Sequence, residues 1–150
     1  MSAIPPGDHA TPPGYHTVTP YLVVASIPDV LAFLAAAFEA VETEHVRADD
    51  GTSLHAEVRI GDSMVMLGQA RDRSSPSPAI LYVYDADVDA RFARALQAGG
   101  DAFQEPTDQF YGDRTACVVD PAGNQWWIAT RKETLDSEEL GRRAADARGK

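Results

Sequence analysis

The sequence predicts an α+β fold made of two consecutive units, each with the element order β-α-β-β-β. Alternating apolar residues and turn signals along residues 17–70 predict a strand, a helix and three further strands. The same order returns along residues 79–131. A block that recurs after about 60 residues is typical of an internal duplication.

The first unit is predicted to open with a strand over residues 17–25 and to continue into a helix. Ser26 is a suitable N-cap, and Pro28 fits the first helical turn. An apolar stripe at helical spacing then predicts the face that packs on the sheet. Its members are Val30, Phe33, Leu34, Ala37 and Phe38.

Three extended segments complete the first unit, separated by short turns rich in Asp and Gly. They are residues 41–48, 54–60 and 64–70. Alternation along these strands assigns one face to the helix and the other to the opposite side. The helix-side residues are predicted to be Val18, Pro20, Leu22, Val24, Leu54, Ala56, Val58, Ile60, Val65 and Leu67.

The second unit repeats this plan and ends in a hairpin. A strand over 79–84 precedes a helix over 88–98 and a strand over 102–109. The hairpin pairs residues 115–119 with 125–130 through a five-residue turn, Asp120-Pro121-Ala122-Gly123-Asn124. In its second strand Trp126 and Ile128 are predicted to face the helix, and Trp127 the opposite side.

Length and composition limit the possible functions. The chain has 150 residues and ordinary apolar and charged fractions, which indicates one globular domain. Its net charge of -10 argues against nucleic acid and anionic membranes as partners. If charge matters to a ligand, this charge favours a cationic one.

The location and redox state are also predicted. The first residues lack the pattern of a signal peptide and no apolar run is long enough to span a membrane, so we expect a cytoplasmic protein. Cys117 is the single cysteine, which excludes an intramolecular disulfide and a thiolate metal cluster. We expect it to be a small core residue.

Composition also divides the chain into segments. Residues 1–16 are expected to be a loose arm and 17–131 the domain, with its two modules at 17–70 and 79–131. Residues 71–78 are predicted to be a solvated linker. Residues 132–150 are predicted to be a C-terminal tail, either a short surface helix or a frayed end.

Several short motifs stand in a distinctive order. They are Pro20-Tyr21-Leu22, the stretch from His55 to Leu67, Asp85-Ala86-Asp87-Val88-Asp89, Tyr111-Gly112-Asp113-Arg114 and the turn at 120–124. In this order the chain resembles the vicinal oxygen chelate superfamily, and within it the glyoxalase/bleomycin-resistance proteins of the PhnB-like branch. The resemblance implies sheets curved around a cleft, helices on the convex side, and a homodimer whose two sites lie between modules.

The same resemblance implies four positions where metal-dependent relatives hold a divalent ion. They fall on Thr19, Met66, Ile80 and Trp127. A hard divalent cation needs oxygen or imidazole ligands, which this set does not supply. We therefore expect no metal and no cofactor. His16 stands three positions from Thr19, so a slip in alignment would place it on the wrong face.

The residues predicted to line the cleft are mostly aromatic or flexible and apolar, a composition typical of sites for flat or bulky molecules. The predicted ligand-binding residues are Thr19, Tyr21, Met64, Met66, Tyr82, Tyr84 and Trp127, with Ile80 on the same face, and Arg114. Arg114 has two interpretations. It either binds an anionic or carbonyl group of a ligand or forms an ion pair with Asp113, Glu105 or Asp108.

His55 and Glu57 are the one acid-base pair with a geometric basis, since they stand two apart on one strand face. They either transfer protons or make surface or dimer contacts. The chain has no phosphate-binding loop, dinucleotide fingerprint or serine nucleophile elbow.

Three hypotheses about function follow. The leading one is metal-free binding and sequestration of a hydrophobic or aromatic small molecule, as in proteins that protect cells from antibiotics. Glu57, Glu105 and Asp108 at the cleft rim would favour a cationic molecule. The second is an enzyme, either a lyase, isomerase or cyclase that uses His55 and Glu57 or one with a relocated metal site. The third is a structural or regulatory module with a filled cleft.

Overall fold

The computed structural model describes residues 10–72 and 76–149. The predicted arm therefore lies mostly outside the described residues, and so do three residues of the predicted linker. The chain divides into two compact units between Pro78 and Ala79. Each unit contains a four-stranded mixed sheet, which confirms the predicted α+β fold of two βαβββ modules.

The first unit contains one helix and four strands. They are β1 (Tyr21–Val24), α1 (Ile27–Phe38), β2 (Val41–Arg47), β3 (Ser53–Ile60) and β4 (Ser63–Gln69). The strand order is β1-β4-β3-β2. β1 pairs in parallel with β4, and the other neighbours are antiparallel.

The second unit repeats this topology and adds a helix. Its elements are β5 (Ile80–Tyr84), α2 (Val88–Gln97), β6 (Asp101–Asp108), β7 (Asp113–Val119), β8 (Gln125–Arg131) and α3 (Ser137–Arg148). The strand order is β5-β8-β7-β6, and β5 pairs in parallel with β8. No described helix is long and apolar enough to cross a membrane.

The ends of α1 follow from its sequence. Ser26 Oγ accepts a hydrogen bond from Asp29 N at 3.3 Å, as expected of an N-cap. The side chain of Gln69, at the end of β4, accepts a further bond from Ile27 N at 3.3 Å. The helix ends at Glu39, whose φ of 57° is left-handed. The predicted apolar stripe is buried throughout.

Three residues predicted to pack under α1 do not do so. Val18 is 84% exposed and Pro20 is also exposed, because the first strand begins at Tyr21 and not at residue 17. Leu54 is 48% exposed because the register between β2 and β3 shifts beside Val46 and Arg47. A bulge of this kind redirects a side chain, and here Ser53 is buried in place of Leu54.

In the second unit α2 packs on the apolar face of its sheet. Trp126 and Ile128 are fully buried on that side, as predicted. Asp87 caps the helix by accepting a bond from Ala90 N at 3.2 Å. Thr130 joins sheet and helix, since its hydroxyl accepts from Val88 N and donates to the Asp85 carbonyl.

Helix α3 carries no buried residue and is held by charged groups. Asp136 Oδ1 caps it by accepting from Glu139 N at 2.9 Å. Arg143 forms ion pairs with Glu133 and Glu139 and donates to the carbonyl oxygen of Phe110. These contacts attach α3 to the second unit.

The turn between β7 and β8 is organised by one buried carboxylate. Asp120 Oδ1 accepts from Ala122 N and Asn124 N at 2.8 and 3.0 Å. Its Oδ2 accepts from Asn124 Nδ2 and Trp126 Nε1, both at 2.9 Å. Asn124 Oδ1 accepts in turn from Ala79 N at the start of β5. The turn therefore fixes both the hairpin and the neighbouring strand.

Replacing Asp120 with Asn is expected to lower the free energy of unfolding by about 2–3 kcal/mol, because the new amide group must face N–H donors inside the protein. Urea denaturation measures the change. Asp101→Asn, at an exposed strand position, is the matched control and should change stability little. Equal stability of the two variants would contradict this role for Asp120.

Candidate functional site

The candidate site residues lie on the sheet faces that point away from α1 and α2, which we call the open faces. On the first open face, register places Tyr21 beside Met66 and Met66 beside Glu57. The next row holds Val23, Gly68 and His55. Each row thus joins β1, β4 and β3 in that order.

Tyr21 lies across Gly68. A Cβ placed on Gly68 would stand 2.3 Å from the Tyr21 hydroxyl oxygen and under 3 Å from two ring carbons, so only glycine leaves room for the ring. The Tyr21 ring also contacts the imidazole of His55. The two ring centroids are 5.9 Å apart, and the angle between the ring planes is 31°. The sequence reasoning missed Gly68. A glycine inside a predicted strand was the available signal.

His55 and Glu57 are in direct contact on this face. His55 Nε2 lies 3.0 Å from Glu57 Oε2. Both side chains are partly exposed, and the imidazole also contacts Tyr21. The arrangement can hold a proton near an aromatic surface. A role in proton transfer stays a prediction.

Three other predicted residues of the first unit differ in how much surface they offer. Met66 is half-buried beside Tyr21, whereas Met64 is only 7% exposed. Thr19 precedes β1, and its hydroxyl donates to the His16 carbonyl at 3.2 Å. Tyr21 and Met66 are therefore the more accessible members of this group.

The second open face is dominated by aromatic rings. Tyr82 and Tyr84 project from β5, with ring centroids 5.3 Å apart and an angle of 68°. Register places Trp127 beside Tyr82. Phe103 contacts Trp127 edge to face at 6.1 Å. Tyr84 is 60% and Phe103 59% exposed, so a large part of this aromatic surface faces solvent.

Phe103 was not among the predicted site residues. No sheet face was predicted for the residues of this strand, and the pairing of β6 with β7 is irregular between Ala102 and Gln104. A sequence pattern does not locate such a bulge. The structure therefore adds one aromatic residue to the predicted set.

Tyr82 reaches across β8 to a buried carboxylate. Its hydroxyl donates to Asp113 Oδ2 at 2.7 Å and lies 3.5 Å from the hydroxyl of Tyr111. Burial of the phenol and these two hydrogen bonds raise the pKa of Tyr82 well above its usual range. Tyr82 therefore acts as a hydrogen-bond donor and not as a base at neutral pH.

Both units place a tyrosine of their first strand across their last strand. Tyr21 is paired with Met66 and crosses β4 at Gly68. Tyr82 is paired with Trp127, and its path to Asp113 crosses β8 on the face where Ala129 stands. In both units a first-strand tyrosine thus extends across the last strand.

Arg114 lies on the helix side of its sheet. Its guanidinium makes a bidentate ion pair with Asp89 of α2 at 2.8 and 3.0 Å. A third bond at 3.2 Å reaches Asp108, one of the three expected partners. Asp89 was not expected. The geometry favours the ion-pair interpretation of Arg114, and a role in ligand binding stays a prediction.

Cys117 is fully buried, and this burial raises the pKa of its thiol to about 11. The thiol is therefore neutral at physiological pH and does not serve as a nucleophile.

His45 forms a second network, on the side of the first sheet that faces α1. Its Nδ1 lies 2.7 Å from Glu42 Oε1 and its Nε2 lies 2.7 Å from Ser53 Oγ. A carboxylate, imidazole and hydroxyl in this order resemble an activated nucleophile. Ser53 is buried and the imidazole is 8% exposed, which denies access to a substrate. The network holds β2 against β3.

The donor set does not fit a divalent metal at the positions that the family resemblance implies. Thr19, Met66, Ile80 and Trp127 supply one hydroxyl, one thioether and two apolar groups. Within residues 10–72 and 76–149, no three His, Cys, Asp or Glu side chains are grouped so as to hold an ion.

Comparison with known proteins identifies the family. Residues 8–128 match the Glyoxalase/Bleomycin resistance protein/Dioxygenase superfamily, and the chain belongs to it. An uncharacterised protein of Mycobacterium bovis is 33% identical over 134 residues, which covers 82% of this chain and 88% of the relative.

Two solved structures show the same fold. TioX from Micromonospora sp. ML1 superposes with a TM-score of 0.67 at 23% identity, over 76% of this chain and 97% of that one. A glyoxalase/bleomycin resistance protein/dioxygenase from Nocardioides gives a TM-score of 0.62 at 14% identity, over 81% and 87%. Membership of the PhnB-like branch stays a prediction.

Gly68→Ala is expected to displace Tyr21 and to lower the free energy of unfolding by about 1 kcal/mol or less, since the new methyl group overlaps the far end of a half-exposed ring that can move. Tyr21→Ala in the same chain should remove most of that cost. A double-mutant cycle measured by urea denaturation gives the coupling. Additive effects of the two substitutions would contradict the contact.

The raised pKa of Tyr82 is expected to make the free energy of unfolding fall at alkaline pH. Because its pKa is higher in the folded than in the unfolded chain, its contribution is complete below about pH 10 and declines above it, where the unfolded phenol ionises first. Unfolding free energies measured across this range should fall less steeply for Tyr82→Phe than for the unmodified chain. Tyr84→Phe is the control and should keep the original slope.

Proposed function

We propose that this protein binds a flat hydrophobic or aromatic small molecule on its open faces and holds it without chemical change. The observation that carries the proposal is the cluster of three exposed rings, Tyr82, Tyr84 and Phe103, around the half-buried Trp127 on one sheet face. Sequestration of this kind is what proteins that protect cells from antibiotics do.

The physical case depends on exposure. Aromatic side chains bury large areas when they contact a ligand, and they bind flat molecules through offset or edge contacts. A contiguous exposed apolar surface on a folded protein is typical of a binding site. The rings are also partly fixed, since Tyr82 is anchored to Asp113 and Trp127 Nε1 donates to Gln125 Oε1 at 3.1 Å. Fixed rings lose less conformational entropy when a ligand binds.

The first open face supports the same function. Tyr21 lies flat over Gly68 beside the half-buried Met66, so an aromatic ring and a flexible thioether adjoin each other. Thr19 and Met64 complete the set that we propose for this unit. Binding of this kind needs no metal, which agrees with the donor set at the four implied positions.

The assembly and location that we propose come from the family resemblance and the composition. We propose a homodimer in the cytoplasm. The high negative charge supports a small-molecule partner and not nucleic acid.

A second candidate function is catalysis by His55 and Glu57 as a lyase, isomerase or cyclase. The observation that favours it is the 3.0 Å contact between their side chains beside Tyr21. A base with this geometry would act on an acidic C–H or O–H of a molecule bound to the first face. Substrate turnover that His55→Ala abolishes while binding persists would establish it.

Titration with the neutral probe N-phenyl-1-naphthylamine tests the proposed binding. We expect saturable quenching of tryptophan fluorescence that Trp127→Phe largely removes, because Trp126 is buried on the helix side. Tyr84→Ala should weaken binding about tenfold through the loss of one aromatic contact. Calorimetry provides a measure that does not depend on the tryptophans.

Leu96→Ala is the matched control, because Leu96 is an exposed apolar residue of α2 away from the open face. It should leave the affinity unchanged. Failure of the probe to bind, or equal weakening by Leu96→Ala and Tyr84→Ala, would contradict the proposal.

A further inference from the structure

One cation of the chain itself lies on the second open face. The guanidinium carbon of Arg131 stands 6.0 Å from the ring centroid of Tyr84. Its Nε lies 3.9 Å from Asp113 Oδ1, at the outer limit of an ion pair. The face thus already holds a planar cation between an aromatic ring and a carboxylate.

Arg131 is loosely held there. Its side chain is 58% exposed, and an exposed ion pair at this distance contributes little to stability. Arg114, on the opposite side of the sheet, makes three short bonds by comparison. Arg131 can therefore leave its place at small cost.

The carboxylate of Asp113 is built into the face more firmly. It is buried, and Tyr82 donates to its Oδ2 at 2.7 Å, which fixes its orientation. The backbone of Asp113 is also fixed, since its carbonyl accepts from Gln109 N at 2.8 Å. When Arg131 moves away, Oδ1 loses this ion pair and remains as an anionic acceptor on the same face.

We propose that the second open face selects a planar organic cation, such as an aromatic amidinium or guanidinium, which displaces Arg131 and takes its place between Tyr84 and Asp113. This inference rests on the proposed binding function and adds the chemical class of the ligand. Attraction of a cation to the tyrosine ring and to the carboxylate favours the charged molecule over a neutral one of equal shape. The net charge of -10 acts in the same direction.

The test compares three naphthalene derivatives of nearly equal shape: 2-naphthamidine, 2-naphthamide and 2-naphthoate, which are cationic, neutral and anionic. Calorimetric titration of the full chain should show the amidine binding about tenfold more tightly than the amide. The anion should bind most weakly. The advantage of the amidine should shrink as salt is added.

Two variants separate the roles of the charges. Arg131→Gln should strengthen amidine binding several-fold and leave the amide unchanged, because the competing cation is gone. Arg47→Gln, an exposed arginine of β2, makes the same change in net charge and should have little effect. Asp113→Asn should abolish the preference for the amidine, and its melting temperature shows whether it folds.

Each other result overturns the inference in a recognisable way. If the naphthoate binds best and loses affinity in Arg131→Gln, the face selects anions through Arg131. If all three molecules bind equally, ligand charge is not recognised while the binding function stands. If none binds, the proposed function fails with it.

Discussion

Parallel pairing of the first and last strands determines the layout of each unit. It sets β1 beside β4 and β5 beside β8, so that a tyrosine of the outer strand can lie across its neighbour. The crossing requires a small residue underneath, and Gly68 meets that requirement in the first unit. The partners of the tyrosine then differ. Tyr21 reaches the titratable pair His55 and Glu57, whereas Tyr82 reaches a carboxylate and stays a neutral donor. One duplicated scaffold thus carries two chemically different surfaces.

Much of the fold follows from local sequence signals. The periodicity of apolar residues and the caps at Ser26 and Asp87 correctly predicted both internal helices, and alternation correctly placed Trp126 and Ile128 against α2. The failures lie where alternation is interrupted. A bulge exposes Leu54, and a later strand start exposes Val18. Neither event has a distinctive residue pattern, because bulges depend on how two strands pair and not on one strand alone.

Alternation predicts which sheet face each candidate side chain occupies, but not the contacts that it makes. Alternation alone placed the ring of Tyr82 on the open face, yet its bond to Asp113 joins residues 31 positions apart and depends on the register of three strands. Phe103 of β6 contacts Trp127 across two strand positions that the sequence pattern does not pair. Likewise, the space over Gly68 is visible only once β1 and β4 are paired. Long-range register is the information that a single sequence does not carry.

Arg114 and Arg131 both lie in the last hairpin but on opposite faces of the sheet. The face on which each side chain lies determines which role its contacts allow. Arg114 attracts attention because it ends a recognisable motif, but it shares a face with Ala116 and Val118, which pack toward α2. There its guanidinium forms ion pairs with Asp89 and Asp108. Arg131 stands in no motif, yet alternation from Trp127 through Ala129 brings it to the aromatic face, where its contacts are weak. A charged group that is held loosely beside aromatic rings is easier for a ligand to replace than one already held by two carboxylates.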